Sequence, residues 1–228
     1  MTGRAGKSGA PGTAMLTLSH LNPIAVGHQR AVYQHPLDPD LVVKTMRPES
    51  VARRWDAPGR WYKRLPRTRH YVGYLREIKE YIAAHTCPDP DPPLARIAGL
   101  AETDVGLGLV CEKVRGADGG LAPTLHRCWL ENGGEPPWAR AALEDFLEGL
   151  LRHNVIVGDL NAANLVFGSD SRGGPRLLMV DGFGEKGAIP LSSMSRAFNR
   201  HFVLRRYRRM LRDLAVPVSE WTGVRIEP

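Results

Sequence analysis

Gly158-Asp159-Leu160-Asn161-Ala162-Ala163-Asn164-Leu165-Val166-Phe167, followed a little later by Met179-Val180-Asp181-Gly182-Phe183-Gly184, is the stretch on which the fold turns. It sets an aspartate and an asparagine in D-x4-N spacing directly before an apolar strand. A second aspartate then ends another apolar strand and is followed by glycines. Phosphoryl transfer needs a carboxylate to orient or deprotonate an acceptor hydroxyl, with hard oxygen ligands for Mg²⁺ close by. Asp159 suits the first role. Asn164 and Asp181 suit the second, and the glycines beside Asp181 let the backbone turn sharply. D-x4-N alone is also the spacing of an ordinary Asx turn, so the inference rests on the two segments together.

Upstream, Leu41, Val42 and Val43 lie between Pro39-Asp40 and Arg47-Pro48 and predict a strand with Lys44 at its end. Taken by itself, Lys44 reads as a side chain snorkelling from a strand end. With the downstream aspartates it reads as a phosphate contact that needs a carboxylate to hold it. Tyr71, Tyr74, Leu75, Ile78, Tyr81 and Ile82 recur at helical spacing and predict one amphipathic helix, which ends at Cys87-Pro88-Asp89-Pro90. At about 100° per residue, Glu77 falls at the margin of that apolar face and Glu80 nearly opposite it. Glu77 is therefore the expected partner of Lys44, and Glu80 is expected to be a solvated surface charge. Val26-Gly27-His28-Gln29-Arg30-Ala31-Val32-Tyr33 joins two further predicted strands, Leu16–Ile24 and Ala31–Tyr33. With its single glycine, it is a candidate to cover phosphates through backbone N–H groups.

The remaining pattern is strands at Ala95–Leu100 and Gly106–Glu112, then a hinge at Gly116-Ala117-Asp118-Gly119-Gly120. Helices are expected over Leu121–Asn132 and after Pro136-Pro137, the second with Ala142, Leu143, Phe146, Leu147, Leu150 and Leu151 on one face. Strands follow at Leu165–Phe167 and Leu177–Val180, and one long helix over Leu191–Leu214. The fold class read from this order is α+β with two lobes, a β-rich first lobe over residues 15–115 and a reduced, α-rich second lobe over 116–228. A cleft between two such lobes is a default ligand site. Residues 46–68 read as a loop with a basic face, and residues 1–14 as a disordered tail.

Composition sets the outer limits. The chain has 228 residues and a formal charge of +7, which suits an anionic partner without choosing one. No stretch approaches the roughly 20 apolar residues of a membrane span, and the first residues lack the apolar centre of a signal peptide, so a cytoplasmic protein is expected. Cys87, Cys111 and Cys128 lie far apart with no CxxC pair, against a disulfide framework or a structural zinc. Gly3-Arg4-Ala5-Gly6-Lys7-Ser8 superficially suggests a nucleotide-binding glycine loop, but its glycines are too closely spaced and no strand precedes them.

The order glycine loop, strand lysine, helix glutamate, D-x4-N loop and Asp-Gly turn resembles that of protein-kinase-like folds. Gly158-Asp159-Leu160 with Asn164 looks like the loop of aminoglycoside and choline kinases. More narrowly, residues 17–213 resemble the YrbL-type family, a bacterial group named after a PhoP-regulatory-network protein and assigned to the kinase-like clan. Gly27-His28-Gln29-Arg30, Val43-Lys44, Arg76-Glu77-Ile78-Lys79, Asp159 to Leu165 and Asp181 to Glu185 with Ile189-Pro190-Leu191 carry the likeness. The resemblance implies ATP and Mg²⁺ as cofactors. It makes Asp159, Lys44 and Glu77 catalytic, assigns Gly27, Arg30, Lys44 and Glu112 to the nucleotide, and gives Asn164 and Asp181 to the metal. It departs from the kinase pattern at Val157, where kinases usually carry a histidine, and in the glycine loop. No Ala-Pro-Glu anchor follows Gly184, so a protein substrate has no support in the sequence.

Three functions compete. The first is an ATP- and Mg²⁺-dependent phosphotransferase whose acceptor, a small molecule or a protein, is unknown. The second is a pseudokinase-type module that binds or regulates without turnover; retention of Asp159, Asn164 and Asp181 together argues against it. The third is nucleic-acid binding by Arg196, Arg200, Arg205, Arg206, Arg208, Arg209 and Arg212 on the last helix. A solvated helix whose arginine stems cover a core of Phe202, Leu204, Met210 and Leu211 is the favoured reading of that run.

Overall fold

The computed structural model describes residues 15–27, 29–47, 49–50, 71–86, 91–185 and 191–214. The expected tail at 1–14, most of the basic loop at 46–68, His28 and Cys87 lie outside the described residues. The mixed α+β class holds, with a sheet-rich N-terminal part and helices towards the C-terminus. Two compact units divide the chain. One contains the described residues up to 50 together with Ala98–Cys111, and the other contains those from 71 to Ile97 and from Glu112 onwards. The sequence reading placed the helix after Tyr71 in the first lobe; here it groups with the second unit.

The first unit is built on a five-stranded sheet in the order β1-β2-β3-β5-β4. Its strands are β1 (Ala25–Val26), β2 (Arg30–Gln34), β3 (Leu41–Met46), β4 (Ile97–Thr103) and β5 (Gly106–Glu112). β2 and β3 pair antiparallel with Val32 opposite Lys44, so Lys44 sits within β3 rather than at its end. Leu16, Leu18, Val43 and Val110 form the core of this unit. Leu16–Ile24 is not a strand. Leu16 makes one parallel bridge to Thr103, and the Asp104 carboxylate then takes the amides of Leu18 (2.7 Å) and Ser19 (3.1 Å). The Leu18 amide first, then the Ser19 hydroxyl and amide, hold the Asp104 carboxyl below its ordinary value. A side chain that captures consecutive amides leaves a strand nothing to pair with.

The second unit contains α1 (Val72–Ala84), α2 (Leu125–Glu131), α3 (Ala139–Arg152), the hairpin β6 (Leu165–Asp170) and β7 (Gly173–Met179), α4 (Leu191–Met194) and α5 (Arg196–Asp213). α3 buries Leu143, Phe146, Leu147 and Leu150 at the expected spacing. They join Val203, Leu204, Tyr207, Met210 and Leu211 of α5 and Leu165 and Met179 of the hairpin in one core. Thr124 caps α2 by accepting from Arg127 N. The single helix expected over Leu191–Leu214 is two. Ser195 is extended (φ −148°, ψ 125°), and its hydroxyl accepts from Phe198 N, so it starts a new helix instead of continuing the old one.

α1 corrects the sequence reading of its face. Its buried residues are Tyr74, Glu77, Glu80 and Ala84, whereas Leu75 is 38% exposed and Ile82 65% exposed. The buried stripe is regular in its helical spacing and carries two carboxylates. An amphipathic pattern finds the apolar side of a helix, and here the inward side is partly acidic.

Candidate functional site

The D-x4-N loop is shaped by its own side chains. Asn161 is extended and caps the short 3-10 turn Ala162–Asn164, its Oδ1 accepting from Ala163 N and Asn164 N at 3.0 Å each. The turn carries Asn164 back to the start of the loop, where its Nδ2 donates to the Asp159 carbonyl at 2.9 Å. Nδ2 is thereby committed, and Oδ1 accepts no hydrogen bond from any described residue.

The Asp181-Gly182 turn docks onto the same loop through backbone hydrogen bonds. The Gly182 carbonyl accepts from both Gly158 N (2.8 Å) and Asp159 N (2.7 Å). Val180 N donates to the Asn164 carbonyl at 2.9 Å, Gly184 N donates to the Ile156 carbonyl at 2.7 Å, and Val157 bridges Phe183. Gly182 has φ +83°, and a Cβ there would lie 2.6 Å from the Asp159 carbonyl oxygen and 2.7 Å from Asn164 Nδ2. Only glycine permits that approach. Asp181 Oδ1 accepts from Gly182 N at 2.6 Å, which fixes its carboxylate. Asp159, Asn164 and Asp181 are therefore brought together, with Asp159 exposed and the other two half-buried.

Among the described residues no group of three or more His, Cys, Asp or Glu gathers to hold a metal. One carboxylate and one amide oxygen is nevertheless a hard donor set, and Mg²⁺ is commonly held by one or two protein oxygens completed by phosphate and water. The residues present fit that ion.

Two braces of this loop escaped sequence reading. In the first, Arg206 of α5 donates through Nη1 to the Val157 carbonyl. Burial pushes the Arg206 guanidinium below its usual value, opposed by the charges of Glu185 and Asp159. Arg206 is half-buried, while the other arginines of α5 are exposed. No periodic signal separates it from them. The second brace is Glu80, expected to be solvated. It is only 6% exposed, and its Oε1 accepts from Ile156 N at 2.7 Å. Burial, reinforced by the Glu185 charge and opposed by the Ile156 amide, raises its pKa to about 7. Glu80 lies one turn beyond Glu77 on the inward stripe, which apolar periodicity alone does not reveal.

Glu77 is also buried, at 2% exposure. In the first unit Lys44 is 7% exposed, far from a snorkelling side chain, and Arg30 opens β2 opposite Met46. Gly27 N donates to the Arg30 carbonyl at 2.8 Å, closing the β1–β2 turn. A Cβ on Gly27 would meet its nearest neighbour at 3.6 Å, so the turn itself does not demand glycine. The Glu112 carboxylate accepts from Ser171 N (2.6 Å) and Ser171 Oγ (3.0 Å) at the tip of the β6–β7 hairpin.

Among the described residues no helix is long and apolar enough to cross a membrane. No curated protein matches the chain. Residues 16–215 match the family model described as PhoP regulatory network protein YrbL.

Proposed function

The chain belongs to the PhoP regulatory network protein YrbL family, and from that premise we propose that it is a protein-kinase-like phosphotransferase that uses ATP and Mg²⁺ to phosphorylate an acceptor hydroxyl. The observation that carries this reading is the double acceptance by the Gly182 carbonyl from Gly158 N and Asp159 N. It registers the Asp159 loop against the Asp181 turn, as a single acid-plus-metal site requires. A structural Asx turn has no need of a second aspartate held against it.

In this reading Asp159 orients the acceptor hydroxyl and takes its proton as the new oxygen–phosphorus bond forms and the bond to ADP breaks. Asn164 Oδ1 and the Asp181 carboxylate hold the metal, which neutralises charge developing on the transferred group. Arg206 keeps the loop backbone in place through Val157. Lys44, Arg30 and Gly27 are assigned to the phosphates, and Glu77 is assigned as the carboxylate that goes with the lysine. Glu112 is retained as a nucleotide contact through its main chain, since Ser171 occupies its carboxylate.

The test is the thermal midpoint with ATP, with and without Mg²⁺, on the wild type and on Asp181→Asn. A ligand at about 100 times its Kd stabilises by roughly 2.7 kcal/mol, a shift of roughly 5–10 °C for a chain of this size. A Mg²⁺-dependent shift that Asp181→Asn abolishes is expected. Asp159→Asn should retain the shift and lose phosphoryl transfer. No shift at millimolar ATP would overturn the proposal.

A further inference from the structure

The second unit has a cavity of about 510 Å³ whose walls include Arg76, Lys79, Glu80, His153, Glu185 and Arg196. That volume is ample for a small ligand. None of Asp159, Asn164 and Asp181 lines it. Its cations are uncommitted: Arg76, Lys79 and Arg196 form no ion pair with any described residue. Arg196 is also the first residue of an 18-residue helix, whose N-terminal amides add positive potential.

The acidic groups in the cavity are restrained. Glu185 Oε2 accepts from Ser193 N and Ser193 Oγ at 3.2 Å each, and Glu80 is turned to Ile156 N. Burial raises the pKa of Glu80 to about 7, so its neutral form predominates only below that pH. His153 supplies an independent indication. It is 7% exposed, its Nδ1 faces the Ala84 carbonyl at 3.2 Å, and its Nε2 has no partner among the described residues. A buried ring nitrogen without a partner is uncommon and calls for an explanation. A bound group with a hydroxyl or an ordered water provides one.

From the cavity, its three cations without an ion pair among the described residues, and the buried His153 Nε2, we infer that this is a second ligand site, for a phosphate-type oxyanion held between Arg76, Lys79 and Arg196. The anion is either inorganic phosphate or the phosphoryl end of a small phosphomonoester. The site is distinct from the Asp159 cluster but wired to it. Glu80 bonds Ile156, just before the catalytic loop, and Glu185 follows Gly184 of the Asp181 turn.

The test is a titration of the full chain at low ionic strength with inorganic phosphate and, separately, with glycerol 3-phosphate. It is followed by the amide resonances of Asn154, Ser193 and Arg196. Both variants are conservative at exposed positions, Lys79→Gln and Arg196→Gln. Saturable shifts with a Kd of about 10 mM or tighter are expected, weakened about tenfold in the double variant and unchanged in Asp181→Asn. Equal affinity for the two probes assigns the site to the bare oxyanion. Tighter binding of the ester assigns it to a phosphorylated metabolite. The inference is overturned if neither probe shifts these resonances, if chloride at matched ionic strength shifts them equally, or if the double variant binds as tightly as wild type. Should the double variant be unfolded, each single substitution is read in the same way.

Discussion

Replacing Glu80 by glutamine tests whether a buried acid braces the Asp159 loop. Its pKa rises from 4.5 to about 7 in the folded chain. At about 1.36 kcal/mol per unit, ionising this group costs the folded state about 3 kcal/mol more than the unfolded state. Between pH 4.5 and about 7 the folded chain keeps a proton that the unfolded chain releases. Stability from this group is therefore fully present below pH 4.5, falls as the pH rises through that window, and is gone above it. Glutamine cannot ionise, and its Oε1 can still accept from Ile156 N. Relative to wild type, Glu80→Gln should thus gain about 3 kcal/mol on moving from pH 4.5 to pH 8. Urea unfolding of both proteins across that range measures it, and the difference between the curves removes every other titrating group. Parallel profiles would refute the reasoning. So would a variant that loses ground to wild type as the pH rises, because that would make the ionised carboxylate the better brace.

Two further substitutions probe the scaffold of the site. Gly182→Ala forces a left-handed backbone on alanine and drives its Cβ against the Asp159 carbonyl; a loss of about 2 kcal/mol or more is expected from the unfolding midpoint, together with loss of the Mg²⁺-dependent ATP shift. Asp170→Ala removes a carboxylate that is 1% exposed and accepts Arg172 Nη2 at 2.6 Å and Arg176 Nη2 at 2.8 Å. Breaking these pairs, with Arg172 keeping the Leu94 carbonyl, should cost about 3 kcal/mol by urea unfolding, and a loss below about 1 kcal/mol would show that water replaces the carboxylate.

Much of the geometry of the Asp159 and Asp181 turns was legible because local sequence builds it. Asn161 and Asn164 organise the D-x4-N loop through bonds spanning only a few residues. Gly182 and Gly184 stand where left-handed backbone is needed. Strands β2, β3 and β5 and helix α3 follow periodicities set by which side chains leave water. The misreadings share a cause. Leu16–Ile24 lost its strand to the distant Asp104 carboxylate. The face of α1 was misjudged because apolar periodicity assumes that charge stays outside, and Glu80 goes inside to meet the Ile156 amide.

The sequence by itself determined that an aspartate, an asparagine and a second aspartate end up on turns beside apolar strands, because turn chemistry and alternation act over a few residues. Only the tertiary structure decided that Gly182 clamps the two turns together, that Arg206 alone of the α5 arginines reaches the loop, and that Glu80 is buried. Those outcomes depend on amides and carbonyls far away in the chain, and a group's burial and charge are set by what folds against it.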